Sequence, residues 1–182
     1  LTENQLTTLD LTNNERIGLV GAASNKIASV KLENPNLWYL DLSGNELTAI
    51  QVDTTTVPNL QQLGLNNNQL HTLDVASLEE LQALAIVGNR FDFSTLPPVL
   101  PQYMVYNYSG QAMLEVELQD EKIIDLSTQA MVGDSVTTFT WYLGEPVYNY
   151  DTFEWEGEVL IPGKEYTLEN GVTTFLKSFD GV

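Results

Sequence analysis

Residues able to do chemistry gather at two places in this chain. One is the stretch 151–158, where Asp151, Glu154, Glu156 and Glu158 surround Trp155. A pair of carboxylates astride a sugar ring hydrolyses glycosides, and carboxylates spaced along a loop hold calcium. The fixed ligand spacing of a calcium loop, D-x-D-x-D-G, is absent here. A solvated hairpin with Phe153 and Trp155 turned inward accounts for the same residues, and Asp151, Glu154 and Glu156 remain the metal candidates. The other place is Trp38-Tyr39, followed by Asp41 and Ser43. Aromatic side chains beside polar ones anchor protein or sugar partners.

The remaining signals are weaker. His71 is the single histidine and has no Ser or Cys partner in a nucleophile motif. Asn107-Tyr108-Ser109 fits a glycosylation acceptor and reads equally as a turn. No phosphate loop, dinucleotide fingerprint or serine elbow is present. The expectation is a protein that is not an enzyme and needs no cofactor. With no cysteine, disulfides and zinc–thiolate sites are excluded. Lys and Arg number 7 against 25 Asp and Glu, a net charge of −18. That argues against nucleic acid and anionic membrane, whose phosphates need basic contacts. No run of eighteen apolar residues is present, so no membrane-inserted segment is expected.

The elements that must position Trp38 and Tyr39 are set by a repeat. Asn4, Asn25, Asn45, Asn68 and Asn89 follow one another at steps of 21, 20, 23 and 21 residues. Around each, leucine-like residues hold fixed offsets: L-x-x-L-x-L-x-x-N-x-L, then x-x-L-x-V/L. That is the leucine-rich-repeat consensus, and a period in the twenties means a solenoid. Apolar alternation in Leu40-Asp41-Leu42 marks a half-buried strand. Leu37, Leu40, Leu42, Leu47 and Ile50 should point inward, because one unit cannot bury its own apolar face and stacking makes the core. Each asparagine should serve backbone groups left open at the turn, forming a ladder that touches no ligand. Ala22 stands where a leucine is expected, and the third unit carries an insertion at 54–56.

The phrases NPNLWYLDLSGNELTAIQV and NNNQLHTLDVASLEELQAL resemble the repeats of bacterial leucine-rich surface proteins, of internalin-like and related surface-antigen type. The resemblance implies a non-enzymatic, adhesin-like binding module at the surface of a bacterium or secreted from it, with a protein partner. Some members of that group carry a cysteine column; this chain does not.

Pro97, Pro98 and Pro101 end the repeat pattern, since proline fits neither a central strand nor a helix interior. The domain boundary is therefore expected near residue 100, with the solenoid over 1–99. Beyond it, short strand-like runs are expected at 102–108, 113–118, 122–126, 135–143, 158–161, 164–168 and 172–176, separated by turns such as Asn170-Gly171. That spacing suggests an antiparallel sandwich over 100–182. Its segment 137–143 resembles the central strand of an immunoglobulin-like domain, with Phe139, Trp141 and Leu143 on one face. Leu1 aligns with Leu42 inside a strand, and the second half stops short of about 100 residues. A fragment of a longer protein is expected.

The mainly β fold then offers its outward positions for function: Tyr39, Asp41, Ser43; Gln62, Gly64, Asn66; Ala83, Ala85, Val87; and Leu19, Gly21, Ala23, beside Trp38. Trp38, Tyr39, Asp41, Ser43, Gln62 and Asn66 are the candidate partner-binding residues. A second outward row, Asp10, Lys31, Gln51 and Asp74, is polar and mixed in charge. A structural spacer and a glycan-binding module are the rival readings.

Overall fold

The computed structural model describes residues 1–112, 122–132, 135–149 and 154–176. They divide into two compact units, Leu1–Leu114 and Glu115–Val182. The first unit carries seven three-residue strands: β1 (Thr8–Asp10), β2 (Leu19–Gly21), β3 (Ser29–Lys31), β4 (Tyr39–Asp41), β5 (Gln62–Gly64), β6 (Ala83–Ala85) and β7 (Val105–Asn107). Five of them form one parallel sheet in the order β2-β4-β5-β6-β7, and β1 pairs with β3 in a second, smaller parallel sheet.

Register in the large sheet is fixed by the leucine columns. Leu40 lies between Val20 and Leu63, and Leu63 is followed by Leu84. Those residues are buried, whereas the flanking Tyr39 and Asp41 are half-buried. Slipping a strand by one residue would turn its leucine to water. Leu37, Leu42, Leu47, Leu60, Leu65, Leu70, Leu81 and Ile86 join the same core, as the consensus requires. Ala22 is fully buried in its leucine column, and Ile50 packs against the core while only partly buried.

The asparagines form the expected ladder. Asn68 Oδ1 accepts the Leu47 amide at 3.0 Å, and its Nδ2 donates to the carbonyls of Leu42 and Leu65 at 3.0 and 3.1 Å. Asn45 and Asn89 repeat the arrangement one unit away on either side. The residue before each rung is left-handed: Glu3, Ser24, Gly44, Asn67 and Gly88 all have φ between 53° and 67°. That conformation turns the chain out of the strand so that the amide can reach back. A second set of asparagines works on the other side of the solenoid, where Asn36 and Asn59 each donate to a carbonyl of the preceding unit, Glu15 and Pro35.

The boundary expected at residue 100 is displaced. Strand β7, assigned above to the second domain, is hydrogen-bonded in parallel to β6, with Leu84 opposite Tyr106. Gly110 has φ 63°, and Gln111 does what the asparagines do, accepting the Phe91 amide and donating to the carbonyls of Ile86 and Tyr108. Residues 103–111 are thus a further turn of the solenoid, reading Y-x-x-Y-x-Y-x-x-Q in place of L-x-x-L-x-L-x-x-N. The prolines stiffen the approach to that turn without ending the stack.

The three tyrosines stack, with Tyr103–Tyr106 and Tyr106–Tyr108 centroids 5.6 and 5.2 Å apart. Burial pushes both the Tyr103 and the Tyr106 hydroxyl up to about 12, from about 10 in an open chain. Tyr106 also donates to the Pro97 carbonyl at 2.6 Å. Two of the eight tyrosines should therefore ionise only near pH 12 in an ultraviolet alkaline titration, and Tyr103→Phe and Tyr106→Phe should each remove half of that late phase. Because the folded values are raised, the stabilisation these hydroxyls give is full below pH 10 and is lost as pH climbs from 10 towards 12. Eight hydroxyls ionising together near pH 10 in the folded protein would contradict this packing.

The second unit is antiparallel. Strand β8 (Ile123–Asp125) is followed by a single 3₁₀ turn (Ser127–Gln129), then β9 (Met131–Val132), β10 (Ser135–Val136), β11 (Tyr142–Asn149), β12 (Glu154–Val159), β13 (Tyr166–Glu169) and β14 (Val172–Phe175). The order β13-β14-β8 makes a three-stranded sheet; β11 pairs with β12, and β9 with β10. Asn170-Gly171 closes the β13–β14 hairpin with both residues at positive φ, the primed turn that such a pair favours. Ile124, Leu126, Leu160, Tyr166 and Phe175 form its core, with Phe139 and Trp141 packed against them. Trp141 Nε1 donates to Thr173 Oγ1, and its ring meets Phe175 edge-on at 5.4 Å. The run expected at 135–143 is broken: β10 ends at Val136, β11 begins at Tyr142, and Leu143 is 37% exposed instead of sharing the tryptophan's face. The run expected at 113–118 lies outside the described residues.

Candidate functional site

The period-two alternation of each short strand places alternate side chains on one face of the sheet. Parallel, in-register pairing then aligns Leu19, Tyr39, Gln62, Ala83 and Val105 in one row and Gly21, Asp41, Gly64, Ala85 and Asn107 in the next. Where the two rows meet, a shallow open depression of about 220 Å³ forms. Tyr39, Asp41, Ser43, Gln62 and Asn66 all line it, so five of the six residues singled out in the sequence come together from two successive units. Gly64, Ala83, Ala85 and Val105 are also among the lining residues.

Trp38 stands apart. It is 41% exposed, meets Tyr39 edge-on at 5.9 Å and lies over Gly18, where an added Cβ would come within 3.1 Å of its indole nitrogen. It flanks the depression without lining it. The polar groups are partly engaged by the fold itself. Asp41 Oδ1 accepts the Ser43 amide at 3.0 Å, and Asn66 Oδ1 accepts the Val87 amide at 2.8 Å. The Asn66 bond ties adjacent units together beneath the face and fixes the direction of the amide.

The second row makes a different surface. Lys31 and Asp10 pair across β1 and β3 at 3.6 Å with both side chains largely exposed. Hydrogen bonds from Thr12, with Lys31 adding to them, lower the Asp10 carboxyl. Asp53 caps the insertion in the third unit: its Oδ1 accepts from the Thr55 hydroxyl and amide and from the Thr56 amide. Those bonds, Thr55 first, hold its carboxyl well below the usual range. A wider hollow of about 610 Å³ beside this loop is lined by Val30, Lys31, Gln51, Thr55, Thr56 and Pro58 among others. Thr55 and Thr56, held by Asp53, thus form one wall of that hollow.

The acidic cluster is described only in part. Strand register sets Glu154 opposite Asn149 and Trp155 opposite Tyr148, and Glu156 accepts from the Asn149 amide at 2.6 Å. Asp151 and Phe153 lie outside the described residues. Among the described residues no three His, Cys, Asp or Glu side chains converge as a metal site would need. His71 is exposed on the surface of the solenoid. No helix among the described residues is long and apolar enough to cross a membrane.

Sequence reasoning missed Val105, which closes one end of the depression. Its signal was present, because Tyr106 lies 22 residues beyond Leu84, the repeat's own step.

Residues 35–91 match the model of the family described as Leucine rich repeat. The chain is 34% identical over 96 residues to Leucine-rich repeat-containing protein 51 of Macaca mulatta, covering 47% of this chain and 50% of that protein. Against the Homo sapiens protein of that name it is 41% identical over 70 residues, 36% of each. The chain thus spans about half or less of the length of the curated relatives it matches. Among solved structures it is similar to the functional domain of InlJ from Listeria monocytogenes, described as including a cysteine ladder. That likeness has a TM-score of 0.52 at 19% identity, over 93% of this chain and 48% of the other. The chain has no cysteine, and its rungs are asparagine and one glutamine. Strand register, ladder and these likenesses agree on one architecture: a mainly β chain whose first unit is a leucine-rich-repeat solenoid.

Proposed function

We infer that the chain is a non-enzymatic, adhesin-like binding module of a bacterial cell-surface or secreted protein, engaging a partner protein through the outward face of β2, β4, β5, β6 and β7. One observation carries the reading. Tyr39, Asp41, Ser43, Gln62 and Asn66, drawn from two units, line one open depression on a sheet held rigid from behind by the leucine core and the asparagine ladder. A half-buried tyrosine ringed by polar groups and small residues is what an interface anchor looks like. Surfaces of this kind bind; they lack the convergent acid, base or nucleophile that a reaction needs. The resemblance of the repeats to internalin-like proteins supports the bacterial, extracellular placement.

The test is a screen of the chain against arrays of extracellular-matrix proteins and of glycans at physiological salt, with and without calcium. The expected result is a saturable protein hit, weakened at least tenfold by Tyr39→Ala or Gln62→Ala, a loss of about 1.4 kcal/mol or more. A hit confined to glycans would replace protein with sugar as the partner. Silence on both arrays from a folded chain would make it a structural spacer.

A further inference from the structure

The lining of the depression contains one charged group, Asp41; its other members are Tyr39, Ser43, two side-chain amides and apolar or small residues. Asp41 is half-buried, and its Oδ1 accepts only the Ser43 amide. Among the described residues no cation pairs with it; Lys31 pairs with Asp10 on the other row. A carboxylate set in neutral walls, with water partly excluded, attracts a cation more strongly than one in open solvent.

Gly64 lies directly opposite Asp41 in the sheet. Its backbone is not in the left-handed region, so the turn chemistry that asks for glycine elsewhere does not apply here. Its effect is spatial. A Cβ at residue 64 would come within 2.8 Å of Asp41 Oδ1 and 3.3 Å of Ser43 Oγ. The missing side chain keeps the carboxylate open to the depression. Tyr39, two residues before Asp41 on the same face of β4, offers its ring beside that opening. A guanidinium fits both features: its planar fork of N–H donors matches a carboxylate, and its face stacks on an aromatic ring.

We propose that the depression is a subsite for an arginine side chain of the partner protein, its guanidinium paired with Asp41 and stacked on Tyr39. This rests on the reading that the face binds a protein. Residues 1–99 carry 4 basic and 11 acidic side chains, a charge of −7 that steers basic partners towards this unit.

The probe is N-acetyl-arginine amide, titrated into the isotope-labelled chain and followed by amide NMR shifts, with N-acetyl-citrulline amide as the neutral isostere. The expected result is saturable shifts confined to residues around Tyr39, Gly64 and Ala83, seen with arginine only. They should vanish in Asp41→Asn, which keeps an acceptor for the Ser43 amide, and in Gly64→Val, which fills the opening. Equal response to citrulline, shifts scattered over the acidic surface, or shifts that survive Asp41→Asn would overturn the subsite. The array hit separates the two readings. A hit lost in Gln62→Ala but unchanged in Asp41→Asn keeps the binding face and removes the arginine subsite; a hit unchanged in both removes the two together.

Discussion

Asn68→Ala should cost the solenoid about 2–4 kcal/mol, more than any single change on its outward face. The reason lies in how the ladder shares its bonds. The carbonyls of Leu42 and Leu65 each accept from Asn68, but they also accept from Asn45 and Asn89 respectively, so losing the Asn68 amide leaves each with a donor. The Leu47 amide is different, because its acceptor is Asn68 Oδ1 at 3.0 Å in a buried position. Stranding a buried N–H costs about 1–3 kcal/mol, and the space left by the amide adds a cavity term. The rung also sits mid-stack, so both neighbouring interfaces weaken, and in a repeat array those interfaces are most of the stability. Asn36→Ala is the matched control: its Nδ2 makes one exposed bond, to the Glu15 carbonyl, and its loss should cost about 0.5–1 kcal/mol. Urea denaturation of the two variants gives the comparison. Equal midpoints would mean that the ladder does not hold the turns.

The same ladder explains what the sequence could and could not disclose. The core columns were legible because Leu40, Leu63 and Leu84 recur at one offset from an asparagine, and stacking forces inward residues into register. The candidate site was legible for the same reason: once the leucines are placed, Tyr39, Asp41, Gln62 and Asn66 have no direction left but outward. The last turn was illegible by composition, since Tyr103, Tyr106 and Tyr108 stand where leucines were sought and Gln111 where asparagine was. Its geometry was preserved, because the longer glutamine reaches the same amide and carbonyls as the asparagines do one turn earlier. The prolines at 97, 98 and 101 reinforced the error, reading as an exit when they precede another strand. In the second unit the Asn170-Gly171 turn was plain because turn chemistry is local. The break between β10 and β11 was not: Thr137 to Thr140 have strand-forming side chains, and long-range packing of Phe139 and Trp141 decides their course.

Gly171→Ala should unfold the second unit while leaving the solenoid intact. Two penalties coincide at this residue. Its φ is 80°, a region where a Cβ costs about 1–2 kcal/mol. The added Cβ would also lie 2.7 Å from the Leu126 carbonyl oxygen and 2.8 Å from Ser127 Cα, backbone atoms that no rotamer change can move. Leu126 belongs to the unit's buried cluster, and its amide donates to the Gly171 carbonyl at 2.9 Å, so any retreat breaks a bond and disturbs the core together. Overpacking of this kind adds about 1–3 kcal/mol. Leu126 is one of the five buried side chains that form this cluster among the described residues, so the clash falls on the core itself. Gly163→Ala isolates the first penalty, since its φ is 75° but nothing lies within 4 Å of the new Cβ; its cost should stay near 1 kcal/mol. The near-ultraviolet circular dichroism of Trp141, fixed by Thr173 and Phe175, reports the second unit. Protection of the Leu47 and Leu70 amides from exchange reports the ladder. Loss of the first signal with the second retained is the expected result for Gly171→Ala. If both glycine variants keep the tryptophan signal equally well, the close approach of the β13–β14 turn to Leu126 is not what holds that unit together.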